Sequence, residues 1–350
     1  MQKLFKYVAL TSLCWSLAIP CFGAEPMGVS PRTVGKIERL DPALDAIVDP
    51  NATIEIVAEG FEWTEGPVWW HEGEALLFSD IPRNTVFKWS EAEGLEPFLT
   101  PSGYTGETPR GGELGSNGLA IDGQQRLFLC QHGDRRVARL ESPLAPGKKP
   151  EVKFVNVADR WDGKRFNSPN DLVLHSSGAV YFTDPMYGLL KGGDPKAAEI
   201  DFMGVYRCGP DGKVTLATRA MTKPNGIAFS PDEKILYVGQ SDSEAALWRA
   251  FDVQPDGSLK NERVFFDATD LVKKGLKGSP DGFKVDKHGN LLATGPGGVL
   301  VISKEGKHLG TISTGELIAN CAWGDDGSTL YMTSHMYLAR VKLKTVGEGF

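Results

Sequence analysis

The chain has 350 residues, of which 41% are hydrophobic and 24% charged, the composition of a folded globular protein and not of a disordered or fibrous one. Its formal net charge of −7 argues against nucleic acid or an anionic membrane surface as a partner, and is compatible with a small neutral ligand or a bound cation. The 41 glycines and 22 prolines favour many turns and short strands over long helices.

Residues 1–24 have the layout of a secretory signal peptide. Lys3 and Lys6 precede the apolar run YVALTSLCWSLAIPCFGA, whose small final residues predict cleavage after Gly23 or Ala24. The run falls short of the roughly 20 residues that a membrane-spanning helix needs, which disfavours an uncleaved anchor. We therefore expect an exported protein, periplasmic or secreted, with no membrane attachment after cleavage.

Three cysteines remain in the mature chain: Cys130, Cys208 and Cys321. Their odd number and the absence of C-x-x-C spacing argue against a disulfide framework and against a zinc site. One disulfide and three buried thiols are both compatible with the sequence.

After residue 60 one pattern returns six times, with a short polar opening, an alternating strand, a tight turn and a second strand. The copies begin near residues 65, 117, 170, 225, 281 and 320. A period of about 40–55 residues without long helices is typical of a β-propeller. We predict an all-β fold, a six-bladed β-propeller with four-stranded blades around a central channel, as one domain over residues 25–350.

The segment ATIEIVAEGF, residues 52–61, precedes the first repeat and is predicted to be a strand. It is expected to complete the last blade and so close the ring. A β-sandwich with irregular hairpins is the alternative fold, but it does not explain six copies in the same register.

One position in each repeat carries an oxygen-bearing side chain: Glu65, Asn117, Asn170, Asn225, Asp281 and Asn320. The first strand of each propeller blade lines the central channel, so residues at the same phase of the repeat point at one axis. Turn propensity explains an Asn or Asp at one position, but not Glu65 and not all six together. Asp171, the neighbour of Asn170, is expected to point outward.

Two carboxylates and several carboxamides that converge on one axis match the oxygen ligands preferred by Ca²⁺. Magnesium needs stricter octahedral geometry, and zinc prefers His or Cys ligands, whereas no histidine precedes these strands. We predict Ca²⁺ in the channel, with Zn²⁺, Mn²⁺ or Mg²⁺ as alternative cations. The other interpretation is that these side chains cap the strands and hydrogen-bond across a water-filled channel.

Four stretches, TEGPVWW, SPNDLV…YFTDP, KPNGIAFSPD…LYV and SPDGFKVDKHGNLL, resemble the senescence marker protein-30/gluconolactonase (regucalcin-like) family over about residues 40–345. The resemblance implies a six-bladed calcium propeller with lactonase or related esterase activity. It implies that Glu65, Asn225 and Asp281 hold the metal, and that Asn170 binds either metal or substrate. Ser168 stands where animal members carry a sugar-contacting arginine, so the chain resembles the exported bacterial gluconolactonases more closely.

The resemblance also makes Asp281 the proton donor and acceptor of a metal-dependent lactonase that opens sugar-acid lactones. A bound dication would stabilise the negative charge that develops when water attacks the lactone carbonyl. The predicted substrate site comprises Asn170, Asn117, His132, Asp184, Tyr187 and His335.

Two rival functions stay open at this point. The first is another metal-dependent esterase or a phosphotriesterase on the same site, because cleavage of both ester types needs a similar constellation. The second is a non-catalytic propeller that binds a ligand. The sequence contains neither a G-x-S-x-G nucleophile elbow nor a glycine-rich phosphate loop.

Overall fold

Short antiparallel strands make up almost all of the regular structure. The computed structural model describes residues 32–108, 112–190 and 195–350, and the predicted signal peptide over residues 1–24 lies outside these ranges. The helices are short: the α-helices Tyr187–Leu190 and Thr269–Lys273, and the 3₁₀ helices Pro42–Ala46 and Pro195–Ala197. None of the described helices is long and apolar enough to cross a membrane.

The described strands form seven antiparallel sheets, of which six are the blades, one for each sequence repeat. Blade 1 contains Thr64–Trp70, Ala75–Asp80, Thr85–Ser90 and Gly94–Leu99. Blade 2 contains Ser116–Ile121, Leu127–Gln131, Arg136–Leu140 and Phe154–Ala158. Blade 3 contains Leu172–Leu174, Val180–Asp184, Gly204–Cys208 and Val214–Thr218. Blade 4 contains Pro224–Phe229, Ile235–Asp242, Ala245–Val253 and Leu259–Asp267.

The last two blades include strands from the N-terminal part of the chain, one in blade 5 and two in blade 6. Blade 5 contains Phe283–Val285, Leu291–Gly295, Gly298–Ile302, His308–Ser313 and, at its outer edge, Lys36–Arg39. Blade 6 contains Asn320–Gly324, Thr329–Ser334, Tyr337–Lys342, Ile54–Glu59 and the outermost Thr33–Val34. A small hairpin, Arg160–Trp161 with Lys164–Arg165, follows blade 2. The prediction of a six-bladed all-β propeller is confirmed.

Pairing between the two ends of the chain closes the ring. Strand Ile54–Glu59 runs antiparallel to Tyr337–Lys342, with Ile54 opposite Val341. The strand predicted within ATIEIVAEGF therefore becomes the fourth strand of blade 6. Closure by hydrogen bonding removes the seam that the ring would otherwise have between its first and last blades.

Six apolar clusters hold the described blades together, each lying between two neighbouring blades. In blade 1, Leu77 packs towards blade 2, whereas Leu76 and Phe78 pack towards blade 6. Because both faces of each sheet are covered, the inner strands are apolar on both faces instead of alternating with polar residues. This packing fixes the position of the first strands around the channel.

Glycines allow those first strands to approach one another closely. A Cβ atom on Gly66 would lie 1.9 Å from the carbonyl oxygen of Asn117, and one on Gly226 would lie 2.2 Å from that of Asp281. Both glycines directly follow a polar channel residue, so the E-G and N-G pairs combine an inward side chain with tight contact to the next blade. Part of the repeated motif is therefore a packing requirement.

Candidate active site

A cavity of about 390 Å³ opens at the end of the channel where the first strands begin. Its polar lining includes five of the six predicted inward residues: Glu65, Asn117, Asn170, Asn225 and Asp281. The sixth, Asn320, lies behind this lining and donates from Nδ2 to Glu65 Oε2 at 3.3 Å. The structure thus brings the predicted ring together at one end of the channel.

β-Bulges in the first strands aim these side chains into the cavity. The strand register shifts after Glu65 in blade 1, and again between Pro224 and Ile227 in blade 4. In blade 3, the backbone N–H of Asn170 donates to Thr183 O at 2.9 Å before the regular strand begins. A bulge re-aims a side chain while leaving the sheet intact, so the scaffold stays rigid where the ring is built.

A directional chain of hydrogen bonds links three asparagines of the ring. Ser241 donates its only hydroxyl proton to the carbonyl oxygen of Pro280, and Oγ accepts from Asn225 Nδ2 at 2.8 Å. The oxygen of Asn225 therefore faces Asn170, whose Nδ2 donates to it at 2.5 Å. Asn170 Oδ1 in turn accepts from Asn117 Nδ2 at 2.6 Å. The backbone carbonyl thus fixes the orientation of all three amides.

Glu65 is a buried carboxylic acid at the base of the ring, with 3% of its surface exposed. Oε2 accepts from the backbone N–H of Gly66 at 3.0 Å in addition to Asn320. Burial, reinforced by the nearby carboxylate of Asp171, raises the pKa of Glu65 to about 8. The site is therefore arranged to favour a neutral acid or a carboxylate paired with a cation.

Asp171 does not point outward as predicted. It is only 4% exposed, and burial raises its pKa, with Lys284 the main opposing charge. Oδ1 accepts from the backbone N–H of Leu172 at 2.9 Å, whereas buried Oδ2 has no hydrogen-bond partner among the described residues. The irregular start of the blade 3 strand breaks the simple in–out alternation, so two consecutive side chains turn inward.

The donor set fits a hard cation. Asn117 Oδ1 is buried without a hydrogen-bond partner among the residues described, as is Asp171 Oδ2. Unsatisfied buried oxygens of this kind are costly unless a ligand binds them. The described residues contain no group of three or more His, Cys, Asp or Glu side chains suited to a metal, and four of the six ring residues are asparagines. Oxygen-only donors suit calcium better than zinc.

His132 and Glu113 flank the ring on the blade 2 side. His132 is fully buried, with Nε2 at 3.2 Å from Asn170 Oδ1 and Nδ1 at 3.6 Å from Glu113 Oε2. Glu113 lines the cavity and was not predicted from the sequence. It lies in the loop before Ser116–Ile121, outside the repeat phase that identified the ring, and only the folding of that loop brings it to the site.

Tyr187 lines the cavity, at the start of the short helix Tyr187–Leu190. Burial raises the pKa of its hydroxyl well above the ordinary value, so the group stays protonated at neutral pH. A protonated phenol can donate a hydrogen bond to a substrate oxygen. Tyr187, predicted as part of the substrate site, therefore lies at the cavity.

Asp184 and His335 lie outside the cavity lining. Asp184 is fully buried and accepts from the backbone N–H groups of Asn167 and Ser168, both at 2.8 Å. His335 packs edge-on against Trp63, with ring centroids 5.3 Å apart. Trp63, unlike His335, lines the cavity. Asp184 therefore holds the loop before Asn170, and His335 supports a cavity wall.

In the described part of the chain, Cys130, Cys208 and Cys321 are buried free thiols. Burial raises the pKa values of all three. Of the two alternatives left by the sequence, the structure supports separate thiols over a disulfide.

Residues 63–336 match the family model described as SMP-30/Gluconolactonase/LRE-like region. The chain belongs to this family. It is 39% identical over 326 residues to a gluconolactonase of Zymomonas mobilis subsp. mobilis, and the alignment covers 90% of this chain and 88% of that protein. The family prediction made from the four sequence stretches is therefore confirmed.

Two solved structures extend the likeness to three dimensions. A gluconolactonase from Xanthomonas campestris is similar with a TM-score of 0.75 and 31% identity, over 89% of this chain and 96% of that chain. A calcium-binding protein, regucalcin, from Agrobacterium tumefaciens str. C58 is similar with a TM-score of 0.63 over 84% and 94% of the chains. The latter is only 19% identical, so it shows a common fold.

Proposed function

We propose that this SMP-30/gluconolactonase-family protein hydrolyses sugar-acid lactones, such as a gluconolactone, in a reaction that depends on a divalent cation. Family membership and the gluconolactonase relatives confirm the prediction of a lactone-hydrolysing enzyme. The observation that carries the cation dependence is the buried ring of carboxylate and carboxamide oxygens at the cavity floor. Calcium is the cation best matched to such donors.

The residues proposed to hold the cation are Glu65, Asn225 and Asp281, with the unsatisfied oxygen of Asn117 beside them. When bound, a divalent cation polarises a lactone carbonyl and stabilises negative charge on its oxygen. It would also favour the ionised form of Glu65, whose carboxyl is otherwise protonated by burial. These oxygens therefore become ligands without leaving a buried charge unpaired.

Asp281 is proposed as the general acid/base. It is less deeply buried than Glu65 and lines the same cavity, where a water and a lactone carbonyl can meet. Its carboxylate accepts a proton as water attacks the carbonyl carbon. When the ring C–O bond breaks, the same group returns the proton to the departing alkoxide, and the product is the open hydroxy acid. Tyr187 is placed to donate a hydrogen bond to a substrate oxygen.

The test is hydrolysis of glucono-1,5-lactone by the purified protein, corrected for spontaneous opening. Activity is expected to disappear after chelation, to return with Ca²⁺, and to be lost in Asp281→Asn. Paraoxon and phenyl acetate, measured in parallel, distinguish a phosphotriesterase or arylesterase from a lactonase. Absence of metal-dependent turnover of any lactone by the wild type would contradict the proposal.

A further inference from the structure

His132 has no role in the proposed chemistry, yet it is buried against a residue of the ring. Its Nε2 atom lies 3.2 Å from Asn170 Oδ1, the atom that also accepts from Asn117 Nδ2 at 2.6 Å. A carboxamide oxygen has two lone pairs, and two donors occupy both. The hydrogen-bond chain anchored at Pro280 shows that this atom is the oxygen, so His132 Nε2 must carry a proton.

We propose that His132 is a positioning residue that holds Asn170 with its amide nitrogen, and not its oxygen, available to the substrate. Asn170 Nδ2 has two protons, of which one is donated to Asn225 Oδ1. The side chain lines the cavity, so the second proton suits an oxygen of the substrate, such as a lactone hydroxyl or carbonyl. Asn170 is thereby assigned to substrate recognition instead of cation binding.

The other ring nitrogen supports this orientation. Glu113 Oε2 lies 3.6 Å from His132 Nδ1, and both side chains are almost completely buried. An acidic group on one imidazole nitrogen fixes the plane of the ring and so directs the other nitrogen. Asn117 Oδ1, by contrast, has no hydrogen-bond donor in the described part of the chain, and Asn225 Oδ1 accepts from Asn170. Both oxygens therefore retain a lone pair that can bind a cation.

This inference rests on the proposed function, because its first readout is lactone turnover. The matched variants are His132→Gln and His132→Asn. Glutamine places an amide nitrogen near the position of Nε2, facing Asn170, whereas asparagine places one near Nδ1, facing Glu113. We expect H132Q to keep the wild-type KM within about threefold, and H132N to raise KM about tenfold with a smaller change in kcat, as expected for loss of substrate binding.

The second readout needs no substrate: the rise in Tm on adding Ca²⁺ to chelator-treated protein. We expect H132Q, H132N and Asn170→Ala to retain this rise, and Asn117→Ala to lose most of it. Loss of the rise in N170A with its retention in N117A would overturn the assignment. Equal KM values for H132Q and H132N would overturn the role of His132, whereas chelator-resistant turnover by the wild type would contradict only the proposed function.

Discussion

Two buried carboxyl groups, Glu65 and Asp184, differ in how their oxygens are satisfied. Asp184 accepts two backbone N–H groups, each at 2.8 Å, so its two oxygens are matched by donors of the fold itself. Glu65 uses Oε2 for Gly66 and Asn320, at 3.0 and 3.3 Å, and has a second carboxyl, Asp171, nearby. A buried acid that the fold satisfies is structural, whereas one that the fold leaves incompletely paired beside another acid is suited to the cation proposed for this site.

The largest effect is expected from Glu65→Gln. The variant keeps the shape of the side chain and removes the charge that a cation needs, so kcat/KM for a lactone should fall by about 10²–10³-fold. Steady-state kinetics at a Ca²⁺ concentration that saturates the wild type measures the change. Tm without metal should not fall, since a buried acid becomes a neutral amide; a large drop would assign Glu65 to the structural class instead.

Asp184→Ala should have the opposite effect, lowering the stability of the fold while leaving Ca²⁺ binding intact. Removing the carboxyl leaves the backbone N–H groups of Asn167 and Ser168 buried without acceptors, and the free energy of unfolding should fall by about 3 kcal/mol. Chemical denaturation measures the loss. The Ca²⁺-induced rise in Tm should persist, and its disappearance at unchanged stability would place Asp184 at the cation site.

Asp171→Asn tests the unpredicted member of the acidic group. The substitution is isosteric and removes a buried charge near Glu65, so Ca²⁺ affinity should fall about tenfold while Tm without metal rises or stays constant. Differential scanning fluorimetry over a Ca²⁺ series gives both quantities. An unchanged affinity would show that Asp171 does not contribute to the field at the cation site.

The smallest expected effect is a pH dependence of stability that originates at Asp184. Burial raises the pKa of Asp184 to about 7, despite the opposing backbone N–H donors. Between about pH 4 and this value, the folded state binds more protons than the unfolded state, so the contribution of Asp184 to stability falls as pH rises. The Tm advantage of the wild type over Asp184→Asn should therefore be larger near pH 5 than near pH 8. A constant difference would contradict this titration.

The ring could be predicted from the sequence because its members occur at one phase of a repeat. The fold follows from the same repeat, and the structure needed only to show which end of the channel opens into a cavity. A second position of the repeat also carries polar side chains: Asp80, Gln131 and Gln240 lie opposite the residues that precede Glu65, Asn117 and Asn225. Asp80 accepts from Glu62 N and Trp63 N, as Asp184 does from its own loop. The shared position and the shared backbone donors indicate a structural role for both Asp80 and Asp184.

Other features required the three-dimensional structure. Asp171 turns inward because the blade 3 strand begins irregularly, and hydrophobic alternation carries no information on such local departures. Glu113 reaches the cavity from a loop, whose path depends on contacts distant in sequence. The orientation of Asn170 depends on a proton on Ser241 in the neighbouring blade 4, relayed through Asn225, and not on any residue adjacent in sequence.

Calorimetric titration of chelator-treated protein with Ca²⁺ tests most directly whether the ring is a cation site. The wild type and Glu62→Gln, which alters an exposed glutamate close in sequence, should both bind one Ca²⁺ with the same affinity. Glu65→Gln should show no saturable binding in the same range. Equal binding by wild type, Glu62→Gln and Glu65→Gln, or no binding by the wild type, would contradict the assignment of the buried ring to a divalent cation.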